Sequence, residues 1–587
     1  MNILIEPIYN GLIQTLLSFS IISGLIFFGK KINHFFFKDY DHVFFNLLIS
    51  LIIFSQLIKI FSYLGLFKEV NLILAYLFLL MGIYNFNKIL NFSKIKNLCK
   101  SINTIELTIV FALLVFFIIT ISPPSMADAL DYHYGVPLYL LKYNQIPDLN
   151  LWLFGALAGN GEIINSLAIF LGSDNFGSLI QFTSLMLFFI FLKTEINQKN
   201  KFSFLILFII CSPTLLQLIS GPKFLLFPQI LTASALYISV KLKKIKITDF
   251  IFIMILLMGA TQFKLSFLLS GFLIGLFTLY KALKYNQLKI IFSCFILSAF
   301  FFLPTAIWNY SQVLNFNYLN LFSPVPIEMI DNLKTYRENN FIYPLNLIFP
   351  KSLGNVSTII GFQFLLLFFI FKKTKEFKII IFITLITICF HYFFGMSISR
   401  IYYEFILWCA ISFVFIKDRN LDYIFYTKLM LPQLLLVICF SLYFALTSIS
   451  GIISFVSRDK FMIKNSNNYE AIKWVNKNLP QEAKVISNIR SVALLNNEFV
   501  PTDWIDFNLS SDQLNGYFSL IKQKKINYII LMNNTPLDFI FIDCLGDKFA
   551  QSGEFTKGTR NPINRNAKYS LSIYHFNHKK LLDCAKR

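Results

Sequence analysis

The chain alternates between long apolar runs and short polar connections over most of its length. A helix needs about 20 apolar residues to cross the hydrocarbon core of a bilayer, and most of these runs contain roughly 17 to 22. The pattern therefore predicts an all-α polytopic membrane protein with about fourteen transmembrane helices. The predicted segments are residues 10–29, 43–64, 70–87, 104–122, 174–192, 202–220, 224–240, 248–263, 265–280, 290–308, 354–371, 379–396, 401–416 and 429–450.

Basic residues mark every second connection between the apolar runs, from GKKINHFFFK near the start to KDRN near residue 420. Lysine and arginine collect in cytoplasmic loops, so these basic connections are predicted to face inward. The alternate connections, including the long loops 123–173 and 309–353, are then predicted to face outward together with both termini. We expect a protein of the bacterial inner membrane whose active site is extracytoplasmic.

The composition changes in the last part of the chain, where the helical spacing of Tyr469, Ile472 and Val475 is followed by a stop at Pro480. The stretches AKVIS, YIILMN and YSLSIYHF read as short strands, and a helix is predicted over 511–524. A small extracytoplasmic α/β domain is therefore expected. The predicted organisation is three extra N-terminal helices in 1–103, a membrane core in 104–454 and this domain in 455–587.

Composition supports the membrane class, since 56% of the 587 residues are hydrophobic and only 14% are charged. The net charge of +21 comes from lysines clustered between apolar runs, as topology requires, so nucleic acid is not an expected partner. No phosphate-binding loop for ATP is present in the sequence. Cys544 and Cys584 lie in the polar tail and could form a disulfide in an exported domain.

The stretch SPPSMADALDYHYGVPLYLLKYNQIP follows directly on the fourth apolar run and holds the first candidate residues. Asp128, Asp131 and Tyr132 are spaced so that one helical turn presents them on the same face, with His133 one residue off it. We expect a short surface helix or irregular turn lying on the membrane. Glu162 follows a glycine-rich segment that would let the backbone fold back toward Asp128, so two acids could divide the work of base and ligand.

Cations in outward connections are the second group of candidates. Lys264 lies between two apolar runs with almost no loop, where a charge is either functional or a lysine extending to the interface. Lys223 occupies an equivalent outer turn, and Arg337 lies in the loop 309–353. Arg400 opens a late run and could simply contact Glu404 one turn on. Two or three such cations near one cavity would suit a phosphate group.

These residues resemble the polytopic glycosyltransferases of the C-type fold, the superfamily of the protein mannosyltransferases and the aminoarabinose transferase of lipid A. In that superfamily an acidic motif in the first large external loop holds the catalytic aspartate, which corresponds here to Asp128 in DALDY. Ala129 stands where the second acid is usual, and Asp131 could substitute for it. The stretches SRIYYEFILW and YEAIKWVNKNLPQEAKVI are similar to later regions of the same proteins, so the resemblance covers roughly 104–587.

The resemblance implies an inverting transfer of a sugar from a polyprenyl-phosphate donor in the outer leaflet to a hydroxyl group of a lipid, glycan or protein. Asp128 would be the base, with Asp131 and Glu162 as further acids, and the cations would stabilise the departing phosphate. Metal use varies among such enzymes, so a divalent cation stays open as a cofactor. The alternatives are a polytopic transporter or lipid flippase, and a polysaccharide polymerase or ligase.

Overall fold

The structure is a computed structural model of a mostly helical chain with a small sheet domain at its C-terminal end. Helices are numbered in chain order among the described residues. The described residues are 2–89, 103–148, 151–152, 154–284, 287–312, 321–322, 347–350, 357–366, 374–393, 399–416, 422–502, 511–533, 541–559 and 567–580.

The helices of the first half are α1 (Gly11–Phe36), α2 (Val43–Tyr63), α3 (Phe67–Ile89), α4 (Thr104–Thr120), α5 (Tyr134–Tyr143), α6 (Asn160–Phe170), α7 (Phe176–Glu195), α8 (Lys199–Ile210), α9 (Thr214–Ile219), α10 (Leu226–Lys241) and α11 (Ile247–Phe263). Those of the second half are α12 (Leu268–Leu283), α13 (Gln287–Gln312), α14 (Lys375–Phe393), α15 (Ser399–Val414), α16 (Tyr423–Ile453), α17 (Phe455–Asn465), α18 (Tyr469–Asn478) and α19 (Ser511–Lys524).

Eight helices among the described residues are long and apolar enough to cross a membrane, which identifies the chain as a membrane protein but does not confirm about fourteen spans. Thr104–Thr120 and Ile247–Phe263 are apolar but shorter. The eight candidates are Gly11–Phe36, Val43–Tyr63, Phe67–Asn85, Phe176–Glu195, Leu265–Leu283, Leu288–Ser311, Lys375–Phe393 and Tyr423–Ile453.

Several predicted spans are interrupted or are largely buried inside the protein. The segment predicted as one span over 202–220 is two short helices, α8 and α9, separated at Pro213, so that prediction is wrong. Helix α15 has 16 residues, and every residue from Ile401 to Phe413 is buried. An apolar run of this length fits a core helix as well as a membrane span. The predicted segment 354–371 is described only over 357–366, where it holds a 3-10 turn at Phe362–Leu365.

The loop 123–173, called the external loop because the sequence predicts that it faces outward, is folded into short elements that pack into the body of the protein. It contains a π-helical turn at Ala129–His133, then α5, a 3-10 turn at Phe154–Leu157 and α6. The expected short helix or turn is present, but the expectation that it is a surface element is wrong, because all five residues of the π-helical turn are buried inside the protein. Most of the second predicted loop, 309–353, lies outside the described residues.

The C-terminal domain holds a five-stranded sheet in the order β2-β1-β3-β7-β4. The first three strands in this order are parallel, and β7 and β4 pair antiparallel. The predicted strands and the helices near 469 and 511–524 are confirmed. Cys544 is disulfide-bonded, and Cys584 lies outside the described residues. The strands are β1 (Lys484–Ser487), β2 (Glu498–Pro501), β3 (Tyr528–Met532), β4 (Leu545–Gln551), β5 (Phe555–Thr556), β6 (Lys568–Tyr569) and β7 (Leu571–Phe576).

The C-terminal domain docks on the external loop and on the start of the chain. The amide of Asn2 donates to the carbonyl of Ala493 at 2.7 Å, and the ring of Trp152 meets the ring of Phe499 edge to face. Lys142 donates to a carbonyl of the same region of the domain. These contacts place the N-terminal end of the chain and the C-terminal domain on one side of the helical core.

Candidate functional site

Asp128 is the centre of a cluster of charged side chains at the start of the π-helical turn. Its Oδ2 lies 2.5 Å from Nζ of Lys223 and 3.7 Å from Nη1 of Arg400. Its Oδ1 accepts a hydrogen bond of 2.7 Å from Nη2 of Arg490. The carboxylate thus has three cations within ion-pair distance, which we call the cation cluster: Lys223, Arg400 and Arg490.

The three cations reach Asp128 from three separate parts of the chain. Lys223 lies in the short connection between α9 and α10, and Arg400 is the second residue of α15. Arg490 follows β1, the strand that lies between two parallel neighbours. The carboxyl ends of parallel strands are the usual ligand-binding edge of an open α/β sheet. The C-terminal domain therefore turns this edge toward the external loop.

The electrostatics of the cluster are set by burial and by the mutual attraction of its charges. Burial alone would raise the pKa of Asp128, but Lys223, Arg490 and Arg400 outweigh it and hold the pKa well below its usual range. Burial lowers the pKa of Lys223 to about 8, although Asp128 opposes the shift. Asp128 is therefore ionised at neutral pH and fully engaged with cations.

Asp131 shares Arg490 with Asp128. Its Oδ2 lies 3.5 Å from Nε of Arg490, while its Oδ1 accepts a 3.1 Å hydrogen bond from the indole nitrogen of Trp152. The guanidinium of Arg490 also covers the ring of Phe154 at 4.6 Å, a cation–π contact. One arginine of the C-terminal domain thus contacts both aspartates and an aromatic ring of the external loop.

Glu162 forms a second, deeper ionic group with His133. Its Oε1 lies 2.5 Å from Nδ1 of His133, and both side chains are completely buried. Its Oε2 accepts from the backbone of Gly159 at 2.6 Å and so caps the start of α6. The predicted return of this segment toward the Asp128 turn is observed, but Glu162 contacts His133 rather than Asp128.

Lys264 and Tyr132 complete this second group. Nζ of Lys264 lies 3.9 Å from Glu162 and donates to the carbonyl of Leu157 at 2.9 Å. It also lies 5.1 Å above the ring of Tyr132, which packs against His133. Burial lowers the pKa of Lys264, whereas the nearby Glu162 raises it. Lys264 is therefore bound to the protein on three sides and is less available to a ligand than the cation cluster.

The remaining predicted residues have different outcomes. Arg400 does not form the simple contact with Glu404 that was one alternative, because Glu404 accepts hydrogen bonds from Ser270 and Thr232 instead. Arg337 lies outside the described residues. Arg490 was not among the predicted site residues. Its position three residues after the end of the predicted strand AKVIS was the available signal, since ligands bind at such strand ends.

The donor set around Asp128 does not suit a divalent cation. Both oxygens of Asp128 contact nitrogen atoms of the cation cluster, and His133 is engaged by Glu162. In the part of the chain that the structure describes, no group of three or more His, Cys, Asp or Glu side chains is placed to hold a metal ion. An added cation here would meet repulsion from Lys223 and its neighbours.

The fold and the site together define a membrane protein whose helical core and small C-terminal sheet domain share one charged cluster. The chain belongs to the DUF1420 family: the DUF1420 N-terminal domain matches residues 79–462 and the DUF1420 C-terminal domain matches residues 463–587. No curated protein matches the chain. The family descriptions name no activity.

Proposed function

We propose that the protein is a membrane glycosyltransferase that moves a sugar from a polyprenyl-phosphate donor to a hydroxyl group of an extracytoplasmic lipid, glycan or protein. The observation that carries the proposal is the carboxylate of Asp128 with three cations from three elements around it. Such a transfer needs an anion-binding group for the departing phosphate and a base for the attacking hydroxyl within one site. The resemblance to C-type glycosyltransferases agrees with both needs.

The phosphate of the donor competes with Asp128 for the cation cluster. Arginine binds phosphate oxygens in bidentate fashion, and lysine supplies a compact positive charge. The side chains of Asp128, Lys223, Arg400 and Arg490 keep 20%, 13%, 31% and 33% of their surface exposed, whereas Glu162 and His133 have none. A ligand can therefore reach the cluster but not the deeper pair.

Binding of the donor phosphate prepares Asp128 for transfer of the sugar. As the phosphate draws the cations from Asp128, the effect that depresses the pKa of Asp128 weakens and its carboxylate is freed to accept a proton. The acceptor oxygen forms a bond to the anomeric carbon while the bond from that carbon to the phosphate oxygen breaks. The electron pair leaves with the polyprenyl phosphate, which the cations stabilise, and the hydroxyl proton passes to Asp128. A single displacement inverts the anomeric configuration.

The contacts of Asp131 and Glu162 support this proposal. Asp131, held by Trp152 and Arg490, keeps Arg490 beside the external loop when Asp128 is disengaged. Glu162 and His133 hold the turn and α6 in place without contacting the substrate. The presence of two arginines also suits a polysaccharide polymerase or ligase, which uses lipid-linked sugars of the same class.

The test compares surface glycans of cells that carry the wild-type chain, a deletion and Asp128→Asn at matched protein levels. We expect one sugar to be lost in the deletion and in Asp128→Asn but kept in Asp459→Asn. Asp459 is the control because it also pairs with a lysine, Lys473, at 2.7 Å. If the deletion changes the glycans while Asp128→Asn does not, Asp128 is not the base and the proposal is wrong.

A second assay separates transfer from transport. The purified chain in proteoliposomes is given a polyprenyl-phosphate donor with a labelled sugar. A transferase releases polyprenyl phosphate as the label appears on an acceptor extract, whereas a flippase moves the intact donor between leaflets without cleaving it. A polymerase or ligase joins the label to an existing chain, and the size of the product identifies that outcome.

A further inference from the structure

An apolar cavity lies between α12 and α14, away from the cation cluster. Its volume is about 770 Å³, within the range of small-molecule sites, about 300–1,000 Å³. Leu273 and Phe277 line it from α12, and α14 contributes a stripe of apolar side chains at helical spacing. Two lysines, Lys375 and Lys378, are also part of its lining.

The lysines lie at the end of the helical core opposite to the candidate site. Residue 264, whose lysine contacts Glu162, directly precedes the Leu265–Leu283 helix. That helix ends near Lys281, whose charge is close enough to Lys375 for the two to repel. A helix rises 1.5 Å per residue, so about 17 residues separate the two ends by roughly 25 Å. The basic loops predict that the lysine end faces the cytoplasm.

The charges at the mouth of the cavity are open to a ligand. Lys375 and Lys378 are both exposed and are three residues apart, so they lie on one face of α14. Within the described ranges neither forms an ion pair with a carboxylate. Glu376 lies between them in sequence and on another face of α14, where its charge is close to Lys281. An anion at the mouth would face two lysines, with Lys281 nearby.

We infer that this cavity binds one anionic phospholipid of the cytoplasmic leaflet. The headgroup phosphate would pair with Lys375 and Lys378, and an acyl chain would lie along Leu273, Phe277 and Phe382. Charge complementarity selects this occupant, because basic pockets between transmembrane helices on the cytoplasmic side bind anionic headgroups. A neutral lipid would fill the apolar part and leave both lysines without a partner. The site is independent of the proposed transfer reaction.

The test measures phosphatidylglycerol bound to the purified full-length chain by native mass spectrometry and by the shift in its melting temperature. We expect Lys375→Gln/Lys378→Gln to bind about thirty-fold more weakly, since each lysine contributes about 1 kcal/mol near an anionic headgroup and 1.4 kcal/mol is a factor of ten. Lys30→Gln/Lys31→Gln is the matched control, because these exposed lysines lie in the last two turns of α1, at the predicted cytoplasmic side. It should keep the wild-type affinity.

A second variant tests the apolar part of the site. Leu273→Trp fills the cavity from α12 while keeping both lysines, and we expect it also to lower retention of phosphatidylglycerol. Phosphatidylcholine and inorganic phosphate should each give a smaller melting shift than phosphatidylglycerol at equal concentration. If inorganic phosphate shifts the melting temperature as much as phosphatidylglycerol does, the site binds free anions. If Lys30→Gln/Lys31→Gln loses as much affinity for phosphatidylglycerol as Lys375→Gln/Lys378→Gln, the attraction is a non-specific surface effect. Either result overturns the inference.

Discussion

The most informative perturbation of the cation cluster is Asp128→Asn, because it separates binding of the donor phosphate from transfer of the sugar. Asp128, Asp131 and the cation cluster together have a net formal charge of +1, which the substitution changes to +2. The amide also removes the anion that occupies the cations in the free protein. We therefore expect loss of transfer together with tighter binding of a phosphate ester.

The magnitude follows from the Coulomb attraction between one added unit of charge and a phosphate about 6 Å away. With an effective dielectric constant between 20 and 80, this attraction is about 0.7 to 2.8 kcal/mol. The expected gain in affinity is therefore roughly three- to hundred-fold. The free protein should lose about 1 to 3 kcal/mol of stability, since three cations within 4 Å of Asp128 lose their counter-charge but stay partly solvated.

The assay is calorimetric titration of a short-chain prenyl phosphate into wild-type and variant protein in detergent. Asp131→Asn is the matched control, because Asp131 lies 3.5 Å from Arg490, whereas Asp128 lies within ion-pair distance of all three cations, so its loss should change the affinity less. The ligand should also restore the melting temperature of Asp128→Asn. Unchanged or weaker binding by Asp128→Asn would refute competition between Asp128 and the phosphate, and with it the proposed role of the cation cluster.

Three further predictions concern other parts of the site. Arg490→Gln should lower transfer at least tenfold, as expected for the loss of a charge-stabilising donor, and should speed proteolysis between the core and the C-terminal domain. Arg490→Lys should recover domain docking only in part, because lysine lacks the bidentate fork. Burial lowers the pKa of His133 to about 4 despite the opposing Glu162. The unfolded chain therefore binds a proton at this histidine before the folded protein does, and stability should be lost as the pH falls from about 6.5 toward 4. Thermal melts of His133→Asn should show a flatter pH profile. Gly161→Ala should cost about 1 to 3 kcal/mol in chemical denaturation, since an added Cβ would lie 2.3 Å from the ring of Phe224, whereas Gly553→Ala, in open space, should cost little.

Local sequence predicted much of the helical part because long apolar runs with polar ends leave few alternatives. The runs 43–64 and 248–263 coincide closely with Val43–Tyr63 and Ile247–Phe263. The run 202–220 is two helices rather than one, and apolarity does not distinguish a helix in lipid from one packed against other helices. Pro213 was the local signal for the break. The number of spans depends on this distinction, which periodicity alone does not make.

The sequence predicted those residues of the candidate site that stand out by their local spacing or by the predicted orientation of their loop. Asp128 and its neighbours stand out because they follow directly on an apolar run. Lys223 and Arg400 stand out because few cations fall in the connections predicted to face outward. Arg490 lies 362 positions from Asp128, and only the docking of the C-terminal domain brings the two together. The sequence correctly predicted that Glu162 returns to the turn that holds Asp128. The glycines allow this return, but the packing of the folded protein decides that Glu162 contacts His133.

The charge balance at Asp128 has a consequence for the order of events in the proposed reaction. A general base works best when its pKa lies near the working pH, yet Lys223, Arg490 and Arg400 hold the pKa of Asp128 far below that. In the free protein Asp128 is therefore a poor base, and an acceptor hydroxyl arriving first would find the carboxylate already engaged. Once the donor phosphate draws the cations away, Asp128 gains basicity at the moment when the anomeric carbon is in place. The same three contacts would thus suppress premature attack by water and make donor binding the step that prepares the base.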